Sequence, residues 1–217
     1  VTVLRRLRHL FGQAWLLARL KDSKSYWDGR YRLGLTSGCG SEGALAEFKA
    51  RVLNGFVREQ RVGSVIEFGC GDGTQLALAA YPRYLGLDVS PAAIRLCRRR
   101  FAGDATKEFR LLDEFSPSSP KADLTLSLDV IYHLLEDAVY HRHLEALFGA
   151  SRRWVIIYSS NAEDPSPARH VRHRRFTDDV STRHPAFGLV RKIENPYPGE
   201  SFAEFYVFER LAEATRA

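Results

Sequence analysis

The chain has 217 residues, 45% hydrophobic and 27% charged, with 32 Lys and Arg against 26 Asp and Glu for a net charge of +6. At about 100–200 residues per domain this is one domain with extensions, long enough to bury a core, and the composition excludes disorder, a collagen-like repeat and a disulfide scaffold. The mild positive charge permits nucleic acid, anionic substrates or a membrane surface and demands none of them.

Residues 1–20 start basic and turn apolar, with Val3, Leu4, Leu7, Leu10, Phe11, Ala14, Leu17 and Ala18 at helical spacing. No small-residue cleavage site follows, so the segment is expected to pack on the domain or against a second copy, as in a homodimer, with a membrane-surface helix as the alternative. No apolar run reaches ~18 residues, so no spanning helix is expected. Tyr26 to Tyr31 and then Ser37 to Ser41 are aromatic and Gly/Ser-rich, and residues 1–60 read as an N-terminal helical cap and lid on a core of residues 61–217.

From Val65 onward, short apolar runs alternate with helical ones. Val65 to Phe68 reads as a strand stopped by Gly69, 74–80 as a helix, and Tyr84 to Val89 as a second strand. Ser90 is an N-cap with Pro91 at the first helical position of a helix ending near Phe101. Phe109 to Leu112 and Leu124 to Leu128 are strands, Leu134 to Phe148 a helix, and Trp154 to Tyr158 a strand. A polar loop over 161–175 precedes a short helix from Phe176 to Ser181. Two strand-like runs, Leu189 to Ile193 and Phe205 to Phe208, end the pattern. The alternation predicts an α/β fold, a mostly parallel Rossmann-like sheet with helices on both faces. The last two strands, with no long helix between them, predict an antiparallel edge.

The densest signal is Glu67-Phe68-Gly69-Cys70-Gly71-Asp72-Gly73, entered by a strand, with Asp88 at the end of the next one. Glycines let the backbone turn sharply and approach a ligand, and an acid at that distance accepts hydrogen bonds from ribose hydroxyls. The spacing is GxGxG rather than the GxGxxG of dinucleotide sites, which argues against an oxidoreductase, and the loop holds no Walker lysine. Cys39, Cys70 and Cys97 form no CxxC pair, so no zinc frame is expected and a reducing cytoplasm fits best.

VIEFGCGDGT followed by GLDVSPAAI resembles the first two motifs of class I S-adenosylmethionine-dependent methyltransferases, and the resemblance extends over residues 60–160. It implies a seven-stranded sheet with a terminal antiparallel strand. It implies Glu67 among the cofactor-binding residues, Gly69 and Gly71 beside the methionine part of the cofactor, Asp88 on the ribose, Val89 and Ser90 along the adenosine, and Asp113 on the adenine. It places Leu128 and Asp129 beside the methyl-transfer centre. The YWDGRY stretch is similar to one that closes over the cofactor in small-molecule methyltransferases, which would bring Tyr26, Arg30 and Ser41 to its carboxylate end.

A hydroxyl acceptor needs a base. Asp129 and His133 would lie one helical turn apart if a helix began at residue 130, the carboxylate orienting the imidazole, with His143 as a further candidate. Asp129 and Asn161 end neighbouring strands, where acids and amides hold Mg²⁺ in some O-methyltransferases, although Ser160 stands where a second acid is found. His170, His173 and Arg174 in the 161–175 loop are candidates for gripping the substrate. DVIYHL and RHVRHRRFTD look similar to segments of methyltransferases of glycan clusters, including actinobacterial ones acting on mannose polysaccharides. The resulting expectation is methylation of a hydroxyl on a small or glycan-type substrate. The competing readings are a nucleic-acid methyltransferase, against which the absence of a DPPY-type stretch argues, and a non-enzymatic S-adenosylmethionine-binding regulator.

Overall fold

The computed structural model describes residues 16–17, 21–116, 118–164, 166 and 168–212. The helix expected over residues 1–20, and any dimer contact through it, lies outside these except for Leu16 and Leu17. Two helices precede the sheet, α1 (Ser23–Arg32) and α2 (Gly43–Glu59). The core then runs β1 (Val65–Phe68), β2 (Tyr84–Asp88), α3 (Pro91–Arg100), β3 (Lys107–Leu111), β4 (Ala122–Leu128), α4 (Asp137–Gly149), β5 (Ser151–Ser159), α5 (Phe176–Arg183), β6 (Phe187–Ile193) and β7 (Glu204–Arg210).

The seven strands form one sheet in the order β3-β2-β1-β4-β5-β7-β6. β1 to β5 are parallel and β7 runs antiparallel to both neighbours, β5 and β6. All four residues of β1 are buried, which is how a central parallel strand covered on both faces reads. On one face α2 and α3 pack through Leu53, Phe56, Ile94 and Cys97 against Val65, Leu124, Trp154 and Phe205. On the other, Leu144, Leu147 and Phe148 of α4 and Phe176 and Val180 of α5 cover Phe68, Leu87, Val155 and Phe208. Ser90 caps α3 as expected, its hydroxyl accepting from the N–H groups of Ala92 and Ala93 at 3.2 Å.

The helix expected over 74–80 is only a 3₁₀ turn, Leu76–Leu78. Asn54 of α2 accounts for this by binding the Leu78 carbonyl (2.9 Å) and the Ala80 N–H (2.8 Å), which pulls the backbone out of helical register just before Pro82. The helix expected from Leu134 begins at Asp137, and Ile131–His133 form a separate 3₁₀ turn. Among the described residues β6 is an edge strand, interrupted by a bulge between Leu189 and Arg191.

α1 lies across the carboxyl edge of the sheet and is tied at its start and near its middle. The Ser23 N–H and hydroxyl donate to the Glu136 carboxylate (3.0 and 2.7 Å), and the Ser90 hydroxyl donates to Asp28 (2.7 Å). Among the described residues no helix is long and apolar enough to cross a membrane.

Candidate functional site

The carboxyl ends of β1, β2 and β4 open into a cavity of about 590 Å³ whose wall includes Glu67, Gly69, Gly71, Asp88, Val89 and Leu128. This is where an open α/β sheet binds its ligand. Gly69 and Gly71 have φ of +94° and +57°. A Cβ on Gly69 would collide with Cγ2 of Val130, and one on Gly71 would come within 2.8 Å of the Tyr31 hydroxyl. Only glycine permits both this backbone and this clearance.

Asp88 is buried and braces the loop, one carboxylate oxygen accepting from the Gly71 N–H and the other from the Ser90 N–H, each at 2.9 Å. Burial pushes its carboxyl up to about 6 against the relief these amides give. Glu67 accepts from the Tyr84 hydroxyl at 2.6 Å and is pushed up to about 7, again by burial. Ser41 and Asp113 also reach the cavity wall. Asp113 does so at the exposed rim, where it pairs with Lys24 of α1 at 2.6 Å.

The remaining cofactor candidates stand back from the wall. Tyr26 is buried beneath α1 and stacks on His170, with ring centres 5.1 Å apart. Arg30 is buried, donates from Nε to the Thr36 carbonyl at 2.6 Å and lies 5.6 Å from the Trp27 ring. Ser90 is occupied in capping α3 and holding Asp28.

Asp129 and His133 both line the cavity but do not pair. Asp129 takes a left-handed backbone, φ +58°, just past β4. One of its oxygens meets Lys49 Nζ at 2.5 Å and the other accepts from the Tyr132 hydroxyl at 2.7 Å. The 3₁₀ turn, tighter than an α-helical one, leaves His133 facing elsewhere. Its Nδ1 lies 2.8 Å from the His170 carbonyl, which can only accept, so Nδ1 carries the proton and Nε2 a lone pair. The ring stacks on His170 at 5.3 Å and meets the edge of Trp27 at 4.9 Å. Burial holds its pKa down at about 4, so the imidazole is neutral. His143 also borders the cavity, its Nε2 2.9 Å from the Ser127 hydroxyl, and burial likewise lowers it to about 4.

Asn161 is not brought to Asp129; its amide is bonded to Thr177 at the start of α5. Among the described residues no group of three or more His, Cys, Asp and Glu could hold a metal ion, so the pair expected for Mg²⁺ has no third ligand of these types. The loop candidates are also engaged. Arg174 binds the carbonyls of Leu134 and Leu135 (2.7 and 3.1 Å) and Asp137. His170 is sandwiched between Tyr26 and His133, and His173 Nδ1 pairs with the Ser160 hydroxyl at 2.7 Å.

Lys49 and Tyr132 were not anticipated. Lys49 is 1% exposed. Its signal was present: Leu45, Lys49, Leu53 and Phe56 repeat at helical spacing, and a lysine within such a stripe must meet a carboxylate once buried.

Residues 66–153 match the family described as a methyltransferase domain. No curated protein sequence matches the chain. Among solved structures, the N-methyltransferase NodS of Bradyrhizobium japonicum WM9, with S-adenosyl-L-homocysteine, is similar at a TM-score of 0.68 and 15% identity over 88% of this chain and 100% of that one. Magnesium protoporphyrin IX methyltransferase of Synechocystis PCC 6803, with bound SAM, is similar at 0.64 and 16% over 88% and 99%. An amino pentose methyltransferase of Micromonospora echinaspora, also with bound SAM, is similar at 0.60 and 14% over 79% and 94%. At these identities the structures establish the fold. The site has the features that S-adenosylmethionine requires, a glycine cradle that side chains would fill and a buried carboxylate able to accept a ribose diol.

Proposed function

We propose that this S-adenosylmethionine-dependent methyltransferase acts on a hydroxyl of a small or glycan-type acceptor, a sugar hydroxyl in the first instance. The observation that carries the reading is His133, a neutral imidazole on the cavity wall whose Nδ1 proton is committed to the His170 carbonyl and whose Nε2 lone pair is left for the acceptor's proton. Asp129 is less suited to that task, because the Lys49 ammonium and the Tyr132 phenol already satisfy one oxygen each. Its part is to hold Tyr132 and Lys49 in place at the end of β4.

The cofactor, when bound, supplies a methyl group activated by a sulfonium. The chain's own contribution is alignment and exclusion of water. Asp88 and the glycine loop would orient the adenosine, and Trp27 and Tyr31 of α1 line the same cavity. A nucleic-acid acceptor is disfavoured because Arg172, still half-exposed, and the mostly buried Arg174 of the 161–175 loop are bonded within the chain. Arg172 bonds the Leu135 carbonyl and Asp137, and Arg174 bonds the same segment.

The test is transfer of labelled methyl from S-adenosylmethionine to a panel of sugars, phenols, amines and RNA. Sugar labelling that His133→Ala reduces while cofactor binding persists is the expected result. Labelling confined to amines or RNA would overturn the hydroxyl reading.

A further inference from the structure

A second groove, of about 520 Å³, opens at the same edge of the sheet over β5, β7 and β6. It holds two polar atoms with unspent capacity. The Glu204 carboxylate accepts from Lys192 (2.8 Å) and Tyr206 (3.0 Å) on one oxygen, leaving the other with no hydrogen bond among the described residues. His173 is anchored through Nδ1 to Ser160, which leaves Nε2. Asn161 is spent, bonded to Thr177 and to the Tyr206 hydroxyl, and serves to fix the groove's floor. Phe202 stands over them 54% exposed, its edge or face set against Tyr132 at 5.2 Å and His173 at 4.6 Å.

Fixed planar acceptors and donors beside an exposed aromatic ring suit a ligand with alternating hydroxyls and C–H faces. The groove's charges largely cancel: Lys192 is spent on Glu204, Asp164 adds a negative charge, and among the described residues no arginine lines it, so an anionic ligand gains little there. Tyr132 connects the groove to the transfer centre, touching Phe202 with its ring and Asp129 with its hydroxyl. The groove begins beyond β5, and neighbouring strands are about 4.8 Å apart. A sugar placed at Asp129 therefore cannot also fill a groove lying over β7 and β6, but the next unit of a chain can.

We propose that this groove is a subsite for the neighbouring sugar units of an oligosaccharide acceptor, with Phe202 as its platform and His173 and Glu204 as its hydrogen-bonding wall. The inference rests on the sugar-hydroxyl reading above. It means that the enzyme selects a chain rather than a free monosaccharide.

The experiment measures labelled methyl transfer to mannose, mannobiose and mannotetraose, together with cofactor affinity by calorimetry, for wild type, Phe202→Ala and Glu204→Gln. Phe202 is exposed, so its replacement leaves the core intact. Expected is a kcat/KM that rises at least 10-fold with chain length in wild type. Both variants should flatten that rise through KM while leaving transfer to mannose and cofactor affinity unchanged. Equal transfer at all lengths, or a length preference that survives both variants, overturns the subsite and leaves the sugar reading standing. Cofactor binding without transfer to any of the three sugars overturns both.

Discussion

The pairing of Lys49 with Asp129 should control how the enzyme distinguishes its cofactor from its product. S-adenosylmethionine carries one more positive charge than S-adenosylhomocysteine, on the sulfur beside the transferred methyl. Lys49 is buried in the cavity wall and Asp129 is its hydrogen-bonded counter-ion at 2.5 Å. Lys49→Met keeps the volume and leaves the carboxylate unopposed, so the cofactor should be favoured over the product. Asp129→Asn leaves the ammonium unopposed and should do the reverse. For charges sharing one cavity at roughly 6–10 Å and an effective dielectric of about 20, each change is worth roughly 1.7–2.8 kcal/mol, or about 20- to 100-fold in the ratio of the two dissociation constants. The double variant should return the ratio towards wild type. The assay is calorimetric titration of both ligands into each variant at low and moderate salt, with circular dichroism to confirm folding. Ratios that stay at the wild-type value, or move the same way in both single variants, would refute the reasoning.

Asp88→Asn should weaken cofactor binding by roughly 10-fold or more, since one charge-assisted bond is worth about 1.5–3 kcal/mol; unchanged affinity by calorimetry would remove Asp88 from the site. His133→Ala should lower turnover about 10²–10⁴-fold with cofactor affinity kept. Because the folded imidazole takes up its proton only near pH 4, kcat should show no fall centred near pH 6.5 on acidification, and a titration there would count against His133 as the base. Glu67 is raised from 4.5 to about 7, so the folded chain binds the extra proton between those values and stability is lost as pH rises through them. Glu67→Gln should therefore gain up to about 3 kcal/mol at pH 8 relative to pH 5 in urea unfolding, and a pH dependence identical to wild type would contradict the assignment. EDTA should leave methyl transfer intact; its abolition, with rescue by Mg²⁺, would recast Asp129 as a ligand.

The parts of the fold written in local chemistry were legible beforehand. Val65 to Phe68 is a buried run closed by a glycine, Ser90-Pro91 is a cap and first turn, and Asp88 ends the strand beside the loop; each carries its reason within a few residues. What escaped depends on partners far along the chain. The 3₁₀ turn at Leu76–Leu78 is set by Asn54, and Lys49 faces inward because Asp129 awaits it, 80 residues later. The expected Asp129–His133 contact failed for a related reason. Helical spacing was assumed where the chain makes a tighter turn, and His133 found the His170 carbonyl instead. Arg174 looked like a free cation only because the Leu134 and Leu135 carbonyls that consume it are 40 and 39 residues away.

The bulge in β6 bears on how the protein keeps to itself. Among the described residues the seven-stranded sheet has two open margins, and a straight apolar margin is a template on which another chain can crystallise as an added strand. β3, at one margin, alternates its side chains as Lys107, Glu108 and Arg110 around a single buried Phe109. β6, at the other, exposes Leu189 and Val190, at 49% and 52%, which would be the more dangerous pair. The register break lies between Leu189 and Arg191, and Arg191 and Lys192 follow it at once. An incoming strand therefore meets a broken hydrogen-bond ladder and then positive charge, so the two apolar side chains can stay in water without becoming the seed of a fibre.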